Sequence, residues 1–336
     1  MTSSLTNVKT LTQFLHTHIE DERLCSDMIR IYSQICLATK VTANAVRRAA
    51  LEHLLGEAGV QNIQGEDVKK LDLLANQAFT NCMVDSGRIC AMASEEDADM
   101  VVVPQDQAGD YTIAFDPLDG SSNIDANVSI GSIFGIWRRV TPSGSPATLQ
   151  DVLQSGKEMI SGGYSLYGAS TMVVFSVGDG VHGFTLDNSL GEFILTHPSM
   201  QVKPEGSIYS INEGNSLFWD KSTTEFVRRL KAGEAPRTKP CSLRYIGSMV
   251  ADVHRTLLYG GVFMYPSDAK SPNGKLRYLY EVAPLSMLME QAGGKAVTGA
   301  VRALDVAPGE MHMRVPCFMG SSREVDELQG LYLANK

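Results

Sequence analysis

Apolar and polar positions follow two different periods along the chain, and each change of period marks a change of predicted structure. From about residue 7 to residue 58, apolar residues recur at three- and four-residue spacing, which predicts helical structure closed by Gly56 and Gly59. A polar, glycine-containing loop follows and leads into a second helical stretch, VKKLDLLANQAFTNCMVDSG. The first quarter of the chain is therefore expected to be helical.

The next stretch has the shorter period of strands, and six apolar runs at close spacing predict one mostly antiparallel sheet. These runs are ICAMAS, YTIAFD, SIFGIWRRV, STMVVFSV, HGFTLD and EFILT. GDGVHG, residues 178–183, fits a dinucleotide-binding pattern, but strands flank it on both sides, which favours a hairpin turn.

Two prolines and several polar residues interrupt the pattern at THPSMQVKPEG, residues 196–206. We place a domain boundary there, with an N-terminal domain over residues 1–198 and a C-terminal domain over residues 199–336. The second domain alternates strands with helices, one of which is expected to open at Ser248 and close at Gly260.

Length and composition are those of an ordinary globular protein. The 336 residues are enough for two well-filled cores, with 43% apolar and 20% charged residues. A net charge of -9 argues against nucleic acid or an anionic membrane as the main partner and is compatible with a metal site built from carboxylates. The six cysteines are scattered without a C-x-x-C pair, and no apolar run reaches about 18 residues, so we expect reduced thiols and a cytoplasmic location.

The stretch YTIAFDPLDGSSNID has residue types suited to binding a metal ion and a phosphate. Pro117 cannot donate a ladder hydrogen bond and is expected to end the strand, with Asp116 and Asp119 folded to one side of the turn. Their carboxylates and the Leu118 carbonyl would supply three oxygens, the ligand type that Mg²⁺ prefers. The segment 120–122, Gly-Ser-Ser, offers backbone N–H groups suited to a phosphate. Taken alone, the motif is more typical of an aspartate-capped turn without a ligand.

Two more acidic features favour the metal hypothesis. Glu95 and Glu96 follow another apolar strand in MASEED, and Asp72 lies within an otherwise apolar helical face. A buried acid is costly unless it is paired or near a metal, and three such sites in one domain indicate a shared cluster.

FDPLDGSSNIDANVSIGSIFGIWR with the upstream SEED resembles the magnesium-dependent, lithium-sensitive phosphatases. GEDVKKLDLLAN, YSINEGN, RYIGSMVADVHRTLLYGGVFMYP and GKLRYLYEVAPLSMLMEQAGG are similar to the class I fructose-1,6-bisphosphatases in particular. This resemblance implies an α/β (α+β) fold, a layered α/β/α/β/α sandwich of two domains that assembles as a homotetramer. It also implies hydrolysis of the 1-phosphate of fructose 1,6-bisphosphate, in gluconeogenesis or the Calvin cycle.

The resemblance also implies roles for individual residues. Two or more Mg²⁺ ions, for which Mn²⁺ can substitute, would be bound by Glu95, Asp116, Leu118, Asp119 and Glu281. Glu66 occupies the position of an aspartate that approaches a further metal. Asp72 and Glu96 match the acid pair that orients and deprotonates the attacking water. The substrate-binding set comprises Asp119, Gly120, Ser121, Ser122, Asn212, Arg244, Tyr245, Tyr265 and Lys275, with Arg244 reaching a neighbouring subunit.

Two alternative functions stay open. Sedoheptulose-1,7-bisphosphatase activity, alone or in addition, needs the same phosphate-binding groups. A non-catalytic sugar-phosphate or calcium-binding module has no need of the pair Asp72 and Glu96.

Inhibition by AMP, which is usual in the family, is expected to be weak, because LCSD (residues 24–27) and Asp110 replace the usual phosphate loop and lysine.

Overall fold

The computed structural model describes residues 8–52, 54–61, 67–234 and 237–335. Its elements form five layers, helices, sheet, helices, sheet, helices, which confirms the expected α/β/α/β/α sandwich. No helix in these described ranges is long and apolar enough to cross a membrane.

Eight α-helices occur in the described residues: α1 (Leu11–His18), α2 (Glu22–Arg48), α3 (Lys70–Asp85), α4 (Leu149–Val152), α5 (Lys221–Ala232), α6 (Met249–Tyr259), α7 (Ala283–Gln291) and α8 (Ser322–Ala334). The strands of the N-terminal half are β1 (Glu57–Gln61), β2 (Asp67–Lys69), β3 (Ile89–Ser94), β4 (Val101–Val102), β5 (Tyr111–Asp119), β6 (Ile130–Arg138), β7 (Met159–Tyr167), β8 (Thr171–Ser176), β9 (Val181–Asp187) and β10 (Glu192–Met200). Those of the C-terminal half are β11 (Ile208–Ser210), β12 (Ser242–Leu243), β13 (Val262–Tyr265), β14 (Leu276–Arg277), β15 (Lys295–Val297), β16 (Arg314–Val315) and β17 (Cys317–Gly320).

The N-terminal helical stretch is shorter than predicted. It divides at Asp21, whose side chain accepts the backbone N–H of Leu24 and so begins α2. α2 ends at Arg48 instead of continuing to residue 58, and the predicted loop contributes the short strands β1 and β2.

The first sheet has eight strands in the order β10-β9-β8-β7-β6-β5-β3-β4, and only the pair β3 and β5 is parallel. Helices α1 to α3 cover one face, and α6 and α7 pack on the other. Because both faces are covered, the central strands are buried along their length. The hairpin predicted for GDGVHG is confirmed by the antiparallel pairing of β8 with β9.

The interruption expected from residue 196 is wrong for its first residues, since β10 continues through Pro198 to Met200. β10 is an edge strand with shifts in register after Leu195 and His197, and an edge tolerates a proline that cannot donate to the ladder. The division of the chain into domains at residue 198 stays a prediction.

The second sheet, in the order β12-β11-β13-β17-β15, packs against α5 and α8 on its outer side. Its inner side meets α6 and α7, so these two helices form the middle layer. The core between the sheets joins Tyr164 of the first sheet, Val250 of α6 and Met319 of the second sheet. The two halves of the chain therefore share one continuous core.

Candidate active site

The central motif lies on a bulge in β5, and the prediction that Pro117 ends the strand is wrong. β5 runs through Pro117 to Asp119, with Asp116 opposite Ile133 and Asp119 opposite Gly131. Three steps on β5 thus match two steps on β6, so one residue is extra. In a regular strand, residues three apart point to opposite faces, and the extra residue allows both carboxylates to face the same side.

Hydrogen bonds hold this bulge. The Leu118 backbone N–H donates to Asp116 Oδ1 (2.9 Å), and the Ser132 hydroxyl of β6 donates to the Pro117 carbonyl (2.7 Å). The same hydroxyl pairs with the Tyr167 hydroxyl of β7 at 2.7 Å. Neighbouring strands therefore fix the geometry of the acidic motif.

Gly120 turns the chain out of β5 with φ +79°, and a Cβ there would lie 2.7 Å from the Ser248 hydroxyl. Only glycine fits a left-handed backbone at such a close approach. The turn opens a 3-10 helix over Ser121–Ala126, which begins with the two predicted phosphate-site serines.

Four acidic side chains meet where β3 and β5 end. Because these strands are parallel, Glu95 after β3 lies near Asp116 and Asp119. Glu281 comes from a π-helical turn, Tyr278–Val282, that contacts β5 and β6 just before α7. Carboxylate oxygens of Asp116, Asp119 and Glu281 lie within 4.8 Å of one another.

Burial and mutual repulsion dominate the electrostatics of this cluster. Asp116, Asp119 and Glu281 are each at most 6% exposed. Burial raises the pKa of all three well above the ordinary range, and the charge of Glu95 raises each further. Asp119 is also anchored by the Val250 N–H of α6 at 2.8 Å.

Arg277 is the cation within the cluster. Its guanidinium contacts Glu95 and lies 3.8 Å from Glu281, and its backbone N–H donates to Glu281. One arginine against four acids leaves a net charge of -3 if all are ionised.

The donor set fits a hard divalent cation. Buried carboxylates within ligand distance need a compensating positive charge, and the cluster offers only oxygen, without histidine or cysteine. Glu95, Asp116, Asp119, Glu281 and the Leu118 carbonyl are therefore suited to hold Mg²⁺ or Mn²⁺.

The predicted acid pair lies at the edge of this cluster. Asp72, in the first turn of α3, accepts the Lys69 N–H at 2.7 Å. The pKa of Asp72 is raised to about 7, mainly by burial and further by the charge of Glu95. One helical turn later, Asn76 accepts the Ser94 hydroxyl (2.7 Å) and donates to Asp97 (3.2 Å), which fixes α3 against the segment that carries Glu96.

One cavity of about 590 Å³ unites the predicted site. It is lined by Asp72, Glu95, Glu96, Asp116, Leu118, Asp119, Gly120, Ser121, Ser122, Asn212, Tyr245, Tyr265, Lys275 and Glu281. Arg244 is exposed and does not line this cavity in its own chain. Glu66 lies outside the described residues.

Sequence reasoning missed three residues of the site. Arg277 could have been found from its position four residues before Glu281, and Asn76 from its position four residues after Asp72. Asp252, which lines the cavity from α6, gives no comparable signal in the sequence. His254, expected to be a core histidine and not a ligand, is half-buried on α6, and its Nδ1 lies 2.6 Å from the Tyr164 hydroxyl.

Comparisons with known proteins agree over the whole length. Two family models match, "Fructose-1-6-bisphosphatase, N-terminal domain" at residues 9–198 and the C-terminal domain of the same family at residues 202–333. A cytosolic fructose-1,6-bisphosphatase of Oryza sativa subsp. indica is 53% identical over 330 residues, 98% of this chain and 96% of the relative. One from Solanum tuberosum is 52% identical over 332 residues, 98% of this chain and 97% of the relative.

A solved structure from the same family matches this chain. The fructose-1,6-bisphosphatase of Leishmania major in holo form superposes with a TM-score of 0.91 at 43% identity, covering 97% of this chain and 99% of that one. With two family models spanning nearly the whole chain and relatives at this level of identity, the chain belongs to the fructose-1,6-bisphosphatase family.

Proposed function

We propose that this chain hydrolyses the 1-phosphate of D-fructose 1,6-bisphosphate to fructose 6-phosphate and inorganic phosphate, a step of gluconeogenesis. The observation that carries the proposal is the single cavity in which buried carboxylates face the Ser121–Ser122 turn and a set of sugar-binding groups. Several relatives are named cytosolic fructose-1,6-bisphosphatase, and we propose the same reaction and compartment for this chain.

Two or more Mg²⁺ ions per subunit would be held by Glu95, Asp116, Asp119, Glu281 and the Leu118 carbonyl. When bound, such ions neutralise phosphate charge and lower the pKa of water, so that hydroxide is available near neutral pH. The protein contributes a fixed ligand geometry through the β5 bulge and the anchor of Asp119 on α6.

Asp72 and Glu96 would orient the attacking water and accept its proton. A pKa of about 7 suits Asp72 to proton transfer at neutral pH, because a base works best when its pKa is near the working pH. In-line attack then forms the new P–O bond to water and breaks the P–O bond to the sugar, which leaves as the alkoxide, while Gly120, Ser121 and Ser122 hold the phosphoryl group that is transferred.

The sugar and its 6-phosphate would be bound by other groups of the same cavity. Asn212, Tyr245, Tyr265 and Lys275 line it and offer amide, hydroxyl and ammonium groups. Arg244, exposed on its own chain, is suited to reach a neighbouring copy in a homotetramer, where a guanidinium binds phosphate in bidentate fashion.

Phosphate release from fructose 1,6-bisphosphate, measured with and without Mg²⁺, tests the proposal. We expect activity with Mg²⁺ or Mn²⁺, none in excess chelator, and inhibition by lithium. Full activity in excess chelator would contradict the proposal that the reaction needs a metal ion. The ratio of kcat/KM for fructose 1,6-bisphosphate to that for sedoheptulose 1,7-bisphosphate separates the two sugar specificities.

A further inference from the structure

The loop that carries Arg244 and Tyr245 is anchored by a buried carboxylate. This loop, residues 244–247, joins β12 to α6 and brings the Tyr245 side chain to the cavity. The backbone N–H groups of Ile246 and Gly247 both donate to Asp252 Oδ2 at 3.0 Å. Asp252 lies in the first turn of α6 and has no exposed surface.

The other contacts of this carboxylate reach the neighbouring strand and its own helix. Asp252 Oδ1 also accepts the Ser210 hydroxyl of β11 at 2.8 Å and the Arg255 guanidinium at 2.6 Å. A buried carboxylate is costly unless its lone pairs are satisfied, and hydrogen bonds to a charged acceptor are about twice as strong as neutral ones. The loop is therefore held more firmly than ordinary backbone contacts would hold it.

Arg255 extends the anchor, because its Nη2 also donates to the Arg244 carbonyl. On the other side of the loop, Asn123 Nδ2 donates to the Gly247 carbonyl at 3.0 Å. The backbone that presents Arg244 and Tyr245 is thus fixed on both sides.

We propose that Asp252 is a positioning residue for the sugar-phosphate end of the substrate. It touches no substrate group in this role: it fixes the backbone of residues 244–247, directly at Ile246 and Gly247 and through Arg255 at Arg244. This inference rests on the proposed function.

Asp252→Asn tests it, since the amide keeps the size of the side chain but loses the charge and one acceptor. We expect KM for fructose 1,6-bisphosphate and the inhibition constant of fructose 6-phosphate to rise together on the order of tenfold. Turnover should stay within about twofold, and the Mg²⁺ concentration at half-activation should not change. A fall in kcat of this variant with an unchanged KM would contradict the positioning role.

Glu324→Gln is the matched control. Glu324 is a carboxylate of the same half, 1% exposed, that accepts the Gly206 N–H at 3.3 Å and does not line the cavity. This variant should lower stability and leave KM at the wild-type value.

Arg255→Ala covers the case in which Asp252→Asn fails to fold, because the Arg255 side chain is 20% exposed and its loss is tolerable. A raised KM in this variant supports the inference, and an unchanged KM overturns it.

The increase in KM caused by Asp252→Asn should also be smaller in an Arg244→Ala background, since both residues act through one loop. A wild-type chain without activity on fructose 1,6-bisphosphate would instead overturn the proposed function.

Discussion

At the scale of single residues, the site depends on acids whose burial sets their chemistry. Asp72 is 2% exposed with its pKa raised to about 7, whereas the neighbouring Glu96 is only partly buried. Two acids in different surroundings can share the work of orienting water and accepting its proton. The sequence suggested both, because an acid within an apolar helical face and an acid after an apolar strand are each unusual.

Glu96→Gln removes the proposed base with little change in shape. We expect kcat to fall by roughly two to four orders of magnitude, the usual range for loss of a general base, while KM changes little. Steady-state kinetics at saturating Mg²⁺ measures this. Asp99→Asn, on the same segment but exposed and outside the cavity lining, should behave as wild type. A Glu96→Gln enzyme with nearly full kcat would remove Glu96 from the mechanism.

At the scale of elements, the bulge of β5 explains what the sequence could and could not predict. The strand, the acids and the glycine turn were all predicted from local pattern. The bulge was not, because it depends on the pairing of β5 with β6, and pairing partners are distant in sequence. Arg277 pairs with Glu95 across elements, and only its spacing before Glu281 could have revealed it. Asp252 was missed for another reason, because its partners Ile246 and Gly247 are near in sequence but offer only backbone N–H groups, which no residue type reveals.

Ser132→Ala should loosen this bulge. It removes the hydrogen bond to the Pro117 carbonyl and the contact with Tyr167, which costs about 1–3 kcal/mol of unfolding free energy for a buried group. We also expect Mg²⁺ to bind several-fold more weakly, measured as the Mg²⁺-dependent shift in Tm. Ser161→Ala is the control, since Ser161 is equally buried in the same sheet but donates to the Ser176 carbonyl and pairs with the Tyr32 hydroxyl instead. Equal effects of the two changes on Mg²⁺ binding would argue against the bulge as the cause.

The start of α2 and the beginning of β5 account for the expected weak response to AMP. Asp27 pairs with Arg88 at 2.5 Å and accepts the Tyr111 hydroxyl, while Asp110 pairs with Arg23 at 2.7 Å. Both arginines are therefore already neutralised by acids, and a phosphate must displace a carboxylate to bind. We expect a loss of AMP affinity of roughly 5- to 150-fold relative to an attractive site.

Titration of AMP against the purified enzyme at saturating Mg²⁺ measures this loss. Asp110→Lys should increase sensitivity to AMP, since it releases Arg23 and adds a cation. Half-inhibition of the wild type at low micromolar AMP would show the prediction to be wrong.

At the scale of the whole molecule, the acidic cluster couples stability to pH and metal. Burial raises the pKa of Asp116, Asp119 and Glu281, so the folded state holds protons that the unfolded state releases near pH 4. Without metal, the stability that these three groups contribute is therefore fully present below about pH 4 and is lost as pH rises through the raised pKa values.

We expect the Tm in chelator to fall between pH 5.5 and pH 8, and the increase in Tm produced by Mg²⁺ to be larger at pH 8. The double variant Asp119→Asn, Glu281→Gln should show a flatter pH profile and a smaller effect of Mg²⁺. Thermal unfolding at each pH, with and without Mg²⁺, checks both. An equal Mg²⁺ effect at the two pH values would contradict the linkage.

The cluster also draws its acids from both halves of the chain, Asp116 and Asp119 from the first sheet and Glu281 from the turn before α7. Neither half can inherit the proposed metal site alone, so recombination of the gene between β10 and β11 would separate acids that we propose to bind one ion. If they do, we expect the two halves to evolve as a pair, because a change that shifts one set of acids selects for a matching change in the other.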